Sequence, residues 1–197
     1  MEGIRMDWIM IIGLIIVAIV LVIAAVIAAG FLVFLDLLSF TATGSKALNP
    51  AGTSAGRALV VYNPGVSGAA KNAAVRVAGD LQSKGYAVNL AGVRSAAIAG
   101  TQDYDVIIAG GPMYGGKVSS SVEAYLKSIK PQKSAALGVF ATTGSDRFND
   151  QDIKSFGKQI TSIPGIIPLN KAAVTKTIRS GDAGNVDCSE FLTAVLQ

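Results

Sequence analysis

Glycines and hydroxyl residues gather in three short segments, each of which follows an apolar run. The segments are NPGVSGAAKN (63–72), GGPMYGG (110–116) and TTGSDRFN (142–149). Glycine adopts backbone conformations that other residues avoid, and it lets the main chain approach a ligand closely. The N–H groups at the start of a helix attract anions. The three segments therefore predict loops that can bind a ligand.

The first segment has two interpretations. Gly65 and Gly68 flank Ser67, which can cap a following helix and leave its N-terminus open to a phosphate. The segment lacks the Gly-Lys-Ser/Thr of a P-loop, and its glycine spacing is not that of the dinucleotide fingerprint. It is either a phosphate loop of another kind or an ordinary turn between a strand and a helix.

The second and third segments offer a ring and a cation. Tyr114 stands among glycines, and Pro112 stiffens the chain before it. A flat ligand stacked on the ring would give Tyr114 a partner, although neighbouring side chains could do the same. Arg147 can meet a ring carbonyl, a phosphate or only solvent.

Several kinds of chemistry are excluded by composition. The chain of 197 residues contains no histidine and one cysteine, Cys188. Catalytic triads that depend on histidine are impossible, and most zinc sites lack their usual ligands. We expect no catalytic side chain and no metal site. The single cysteine cannot form an internal disulfide, so no oxidising compartment is required.

The elements that must position these loops alternate between strands and helices. Apolar runs predict strands at 57–62, 86–91, 104–110, 135–142 and 172–179, and residues with helical spacing lie between them. This alternation predicts an α/β fold, a doubly wound parallel sheet of five strands. Ligands of such sheets bind beyond the carboxyl ends of the strands, which is where the three segments fall.

The N-terminal segment predicts a membrane anchor within residues 1–40. No charged residue occurs from Trp8 to Leu35. A helix of that length spans about 42 Å, whereas the hydrocarbon core needs about 30 Å. The alternative, a cleaved signal peptide, has an apolar core of only about 7–15 residues. Lys46 and Arg57 follow the segment, which favours a single-pass protein with a cytoplasmic domain.

Residues 41–56 have the composition of a flexible linker, and residues 57–197 are long enough for one domain. That domain carries 15 Lys and Arg against 10 Asp and Glu, a net charge of +5. A cationic domain attracts anionic lipid headgroups or an acidic protein. We expect membrane lipid and a redox protein as partners, and no nucleic acid.

The segment DVIIAGGPMYGGKVSSSVEAYL (105–126) resembles the flavodoxin family, and the resemblance extends over 57–197. It implies a flavodoxin-like sheet with strand order 2-1-3-4-5 and FMN bound without covalent attachment. It also implies, by position, a set of cofactor-binding residues. These are Ser67, Gly68, Ala69 and Ala70 on the phosphate loop, Pro112, Met113, Tyr114 and Gly115 beside the flavin ring, and Thr142, Thr143, Gly144 and Arg147 on the third loop.

This chain departs from the family in three respects. Ala70 stands near the place where flavodoxins have a hydroxyl residue, the first loop is one residue longer, and the domain is cationic instead of acidic. Three functions remain open. One is a membrane-tethered electron carrier. Another is a flavin-dependent reductase or quinone-linked oxidase, with Arg147 or Lys117 orienting the substrate. The third is an interaction scaffold without flavin.

Overall fold

The structure is a computed structural model that describes residues 2–38, 42–144, 149–167 and 169–197. The chain divides into two units, Met1–Leu38 and Ser39–Gln197. The first unit is one helix, α1 (Glu2–Leu38). Within it, Met10–Phe31 is an uninterrupted apolar segment of 22 residues with a mean hydropathy of 3.5. Apolar residues occupy every side of this segment, so it is long and apolar enough to cross a membrane.

The second unit alternates strands and helices, as the apolar runs predict. Its elements are β1 (Ser45–Leu48), β2 (Gly56–Tyr62), α2 (Ala69–Ser83), β3 (Tyr86–Gly92), β4 (Val106–Tyr114), β5 (Lys117–Val118), α3 (Ser120–Ser128), β6 (Ala136–Thr143), α4 (Asp150–Thr161), β7 (Val174–Arg179) and α5 (Ser189–Leu196). Gly85, with φ of +91°, follows α2 in the left-handed conformation that favours glycine.

The strands form one sheet in the order β1-β3-β2-β4-β6-β7, with β5 paired to β4. The five strands β3, β2, β4, β6 and β7, which are consecutive in this order, are mutually parallel. Numbered by their occurrence in the chain, these five have the order 2-1-3-4-5, which is that of a flavodoxin-like fold. The predicted fold class is therefore confirmed, and β1 and β5 are additions to it.

Helices cover both faces of the sheet because its central strands are apolar on both sides. Val60 of β2 and Ile108 of β4 pack with α2 and α5, whereas Leu59 and Ile107 pack with α3 and α4. Alternate residues of a strand point to opposite faces, so two apolar clusters form. The loops between strands and helices therefore lie at the two ends of the strands, where ligands can reach them.

The segment 41–56 is not wholly a linker, which corrects the prediction from composition. Ser45–Leu48 forms β1 and pairs antiparallel with β3, so that Ser45 faces Ala91. Just before it, the carbonyl oxygens of Ala42 and Gly44 accept hydrogen bonds from Arg94 N–H and Gly92 N–H, at 3.1 and 2.9 Å. Main-chain pairing does not depend on side-chain type, so polar composition conceals such an edge strand.

Strand β4 is also longer than its apolar run. Residues 111–114, which follow the predicted strand 104–110, continue the strand to Tyr114. Glycine and proline lower strand propensity, but here β6 pairs with β4 as far as Pro112.

Candidate functional site

The predicted ligand loops come together because β2, β4 and β6 are neighbours in the sheet. Tyr62 at the end of β2 is opposite Gly110, and Pro112 is opposite Thr142. The N–H of Asn63 donates to the carbonyl of Gly110 at 2.9 Å. The first loop therefore begins hydrogen-bonded to β4, and the last residues of β4 and β6 lie side by side.

Asn63 fixes the first loop, although the sequence analysis did not single it out. Its side chain is fully buried. Its Nδ2 lies 2.7 Å from Ser121 Oγ and 3.3 Å from Ser119 Oγ, and its Oδ1 accepts the Gly65 N–H at 2.9 Å. A buried amide must find partners, and Asn63 finds them at the start of α3. A polar residue directly after an apolar strand was the available signal.

The first loop leads into the N-terminus of α2. Gly68 is the residue before the helix, with φ of +71°, and Ser67 Oγ accepts the Ala69 N–H at 3.3 Å. The side chains of Ala69 and Ala70 are buried in the cluster between α2 and the sheet. Because the Ala69 N–H already donates to Ser67 Oγ, Ala70 can offer a ligand only its main-chain N–H.

The second segment is a hairpin whose turn explains two of its glycines. Tyr114 pairs with Lys117, and Gly115 and Gly116 between them have φ of +56° and +74°. A turn of two residues with positive φ matches the twist of a hairpin, and glycine adopts this conformation most easily. These glycines are therefore required by the backbone as well as allowing close approach.

Gly110 and Gly111 are glycines because of packing. A Cβ at Gly110 would overlap the ring of Phe140, and one at Gly111 would lie 2.8 Å from Val122 Cγ2. Gly65 is similar, since a Cβ there would lie 3.0 Å from Pro112 Cγ. Glycine at these three positions lets the first loop, β4 and their neighbours pack closely.

Tyr114 presents its ring at the tip of the hairpin. The side chain is 40% exposed, and partial burial raises the pKa of its phenol, which stays neutral at neutral pH. Met113 points to the opposite face and packs in the cluster with α3 and α4. The backbone of Met113, and not its side chain, is what this residue can offer the site.

Two residues predicted on the third loop belong to strand β6: Thr142 is buried, and Thr143 is the last residue of the strand, so the loop begins at Gly144. The carbonyl of Thr143 accepts the Ser180 N–H at 2.8 Å, so the end of β6 is tied to the end of β7. Arg147 lies outside the described residues.

Three glycines, one on each loop, border open space. Among the described residues, a Cβ at Gly68, Gly115 or Gly144 would meet no atom within 4 Å, in contrast to Gly65, Gly110 and Gly111. A ligand can thus approach the main chain of all three loops at the carboxyl ends of the strands. We call these three glycines and the exposed ring of Tyr114 the cradle.

The described residues offer little reactive chemistry of their own. Within those ranges no group of three or more Cys, Asp and Glu is placed to hold a metal ion. The thiol of Cys188 is buried, and burial raises its pKa to about 11, which leaves it protonated and unreactive at neutral pH. The arrangement can bind and orient a ligand through backbone and ring contacts.

Comparison with known proteins gives similarity of structure only. No family model matches the sequence, and no curated protein matches it. Oxidised flavodoxin 2 from Bacillus cereus is 17% identical with a TM-score of 0.48, over 71% of this chain and 97% of that chain. The apo form of the NADH:FMN oxidoreductase EMOB is 14% identical with a TM-score of 0.47, over 71% and 84%. The Flv1 flavodiiron core from Synechocystis sp. PCC6803 is 16% identical with a TM-score of 0.39, over 71% and 36%.

Proposed function

We propose that this flavodoxin-like domain binds FMN without a covalent bond and carries electrons at a membrane. The observation that supports the proposal most is the cradle formed by Gly68, Gly115 and Gly144 beside the exposed ring of Tyr114. The cradle lies at the switch point of the sheet, where ligands of doubly wound folds bind. The residues present fit a flat cofactor with a terminal phosphate.

The phosphate would be bound at the N-terminus of α2. The Ala69 N–H already donates to Ser67 Oγ, and Gly68 provides no side chain to cap the helix, so the next N–H groups of α2 and the positive end of its dipole would face the anion. Ser67 is exposed and adds a hydroxyl. Because Ala69 and Ala70 are buried, backbone groups would carry most of this contact.

The ring system would lie against Tyr114 and between the second and third loops. A neutral phenol ring stacks on a flat heteroaromatic group and shields it from water. Main-chain groups of Gly115 and Gly144 would meet the edge of the ring, because no side chain of the described residues lies within 4 Å of a Cβ built at either glycine. FMN supplies the electron transfer, and the chain binds and orients it.

An electron carrier requires no acid or base from the protein. The chain contains no histidine and the thiol of Cys188 is buried, which agrees with such a role. The cationic domain would attract an acidic redox protein, the partner that we propose.

The apolar segment of α1 would anchor the protein in a bilayer as a single span. Lys46 and Arg57 follow it in the chain, which supports a cytoplasmic domain. Protease added to intact cells should then leave the domain whole, and digestion from outside would place the domain on the other side.

The proposal is tested by flavin titration of a fragment covering 42–197. We expect a purified fragment to bind FMN and to quench its fluorescence. Charge-assisted hydrogen bonds contribute roughly 1.5–3 kcal/mol each, so riboflavin should bind at least about tenfold more weakly. Equal affinity for the two flavins would contradict the binding of the phosphate at the N-terminus of α2. Binding of neither would favour a scaffold without flavin.

A reductase remains the second candidate because Lys117 is exposed directly opposite Tyr114 in the hairpin. A cation there could orient an anionic substrate over the ring. Rapid oxidation of NAD(P)H or quinol by the FMN-loaded protein, reduced by Lys117→Met, would establish the enzyme. Slow oxidation that is insensitive to this substitution would favour the carrier.

A further inference from the structure

One side chain of α4, Gln159, fastens the hairpin that carries Tyr114. Gln159 Oε1 accepts the Val118 N–H at 2.8 Å. Its Nε2 donates to Glu123 Oε2 at 2.8 Å and lies 3.5 Å from the carbonyl oxygen of Val118. A single amide therefore bridges β5, α3 and α4.

The main chain of Val118 needs such a partner. Tyr114 and Lys117 close the turn, and the Ser119 N–H donates to the Pro112 carbonyl at 2.9 Å. Met113 and Val118 lie between the Tyr114–Lys117 pair and the Pro112–Ser119 pair and form the non-hydrogen-bonded pair of the hairpin. The N–H and C=O of Val118 therefore point away from β4. Val118 is 3% exposed, and an unpaired N–H at that depth would be destabilising. Gln159 takes the place that a further strand would occupy.

The orientation of the Gln159 amide is also fixed. Glu123 forms an ion pair with Lys127, with 2.5 Å between Oε1 and Nζ. Its other oxygen, Oε2, can only accept a hydrogen bond, so the Gln159 NH₂ group must face it. The Gln159 oxygen is thereby directed to the Val118 N–H.

We infer that Gln159 is a positioning residue for Tyr114. Strand β5 has two residues, which is too short to hold a hairpin by pairing alone. The turn also lies against α4, since a Cβ at Gly116 would be 3.2 Å from Ser155 Cβ. By closing β5 onto α4, Gln159 fixes where the ring stands beside the cradle. The inference rests on the proposed function as far as stacking on FMN is concerned.

The first test uses the fragment 42–197 without flavin. Gln159→Met keeps the length of the side chain and removes its hydrogen bonds. We expect faster amide hydrogen exchange at Val118 by about three- to tenfold, the range for loss of one hydrogen bond. The matched control is Gln151→Met, an exposed glutamine on the same helix, which should leave exchange at Val118 unchanged.

The second test is rescue by exchanging the two partners. In the double variant Glu123→Gln/Gln159→Glu, the carboxylate at 159 accepts the Val118 N–H and the amide at 123 donates to it. Exchange at Val118 should return toward the wild-type rate. Failure of the rescue, or unchanged exchange in Gln159→Met, would overturn the inference.

The third test separates positioning from general stability. Gln159→Met should weaken FMN binding about three- to tenfold in the wild-type background and have no further effect in Tyr114→Ala. An equal loss in both backgrounds would show that Gln159 does not act through Tyr114. If the wild-type fragment binds no FMN, the proposed function fails, and the exchange data still decide whether Gln159 holds the hairpin.

Discussion

Tyr114 owes its exposed position to its neighbours in the turn. Gly115 and Gly116 reverse the chain within two residues, and Met113 anchors the preceding position in the core. The tight turn and the buried side chain of Met113 therefore restrict the movement of the Tyr114 ring. This is the geometry expected of a stacking residue.

Tyr114→Ala should weaken FMN binding by about 1–3 kcal/mol, if stacking resembles that of nucleobases on aromatic side chains. Fluorescence titration of the fragment 42–197 measures the change, and the fluorescence of bound FMN should rise as quenching is lost. Tyr114→Phe keeps the ring and should bind nearly as wild type. Unchanged affinity and quenching in Tyr114→Ala would assign the ring to packing alone.

The burial of Ala70 changes the effect that a hydroxyl group at this position is expected to have. Sequence comparison with flavodoxins suggests a missing hydroxyl, and restoring it would be the obvious repair. The side chain is fully buried between α2 and the sheet. Ala70→Thr should therefore lower the free energy of unfolding by about 1–3 kcal/mol through overpacking, without tightening FMN binding.

Thermal unfolding and FMN titration of Ala70→Thr check this expectation. Lys71→Thr, at the exposed next position, is the control for the stability measurement. Tighter FMN binding by Ala70→Thr with unchanged stability would contradict the burial of this side chain.

At the scale of elements, the contact between α3, α4 and the hairpin depends on the charge of Glu123. Hydrogen bonds from Lys127 and Gln159 hold the pKa of this carboxyl below its ordinary value, and Lys117 adds a smaller attraction. Only the ionised form accepts both bonds. The stabilising effect is complete above the ordinary carboxyl pKa and is lost as the pH falls through the lowered value.

As the pH falls from the ordinary carboxyl pKa through the lowered pKa of Glu123, we therefore expect the melting temperature of the wild-type fragment to fall more steeply than that of Glu123→Gln. The protection of the Val118 amide, measured against its intrinsic exchange rate at each pH, should fall over the same interval. Glu190→Gln, which changes an exposed carboxylate on α5, is the control. Parallel curves of melting temperature against pH for wild type and Glu123→Gln would show that the charge of Glu123 does not stabilise the contact.

At the scale of the whole molecule, β1 closes one edge of the sheet. Its four residues pair with β3, whose main-chain groups would otherwise be exposed on that side. The chain thus enters the domain by covering an edge that could associate with other chains.

A fragment beginning at residue 50 should accordingly be less stable and more prone to self-association than one beginning at residue 42. The measurement is thermal unfolding together with size-exclusion chromatography at equal concentrations. Both fragments keep the cradle, so their FMN affinities should agree where both are folded. Identical melting and elution would show that β1 contributes nothing.

The apolar segment of α1 makes a separate prediction. Full-length protein should remain with membranes through high salt and carbonate washing, because salt screens charges and does not weaken apolar burial. The fragment 42–197 should be soluble without detergent. Release of the full-length protein by salt alone would contradict a membrane span.

The sequence by itself determined the elements with strong periodic patterns. The apolar segment of α1, the five parallel strands and the helices between them follow from local hydrophobic order, since each buries the face that its own pattern defines. The strand order of the flavodoxin-like fold was also predictable, because the motif at 105–126 is distinctive.

Only the tertiary structure decided the features that depend on contacts between distant residues. Strand β1 forms because an edge of β3 needs partners, and β4 extends through Gly110 and Gly111 because β6 pairs with it there. These two residues are glycines because Phe140 and Val122 occupy the space that side chains would fill. Asn63 and Gln159 acquire their roles from partners 56 and 41 residues away. Local pattern cannot encode such pairings, because each depends on which distant groups the completed fold brings within hydrogen-bonding distance.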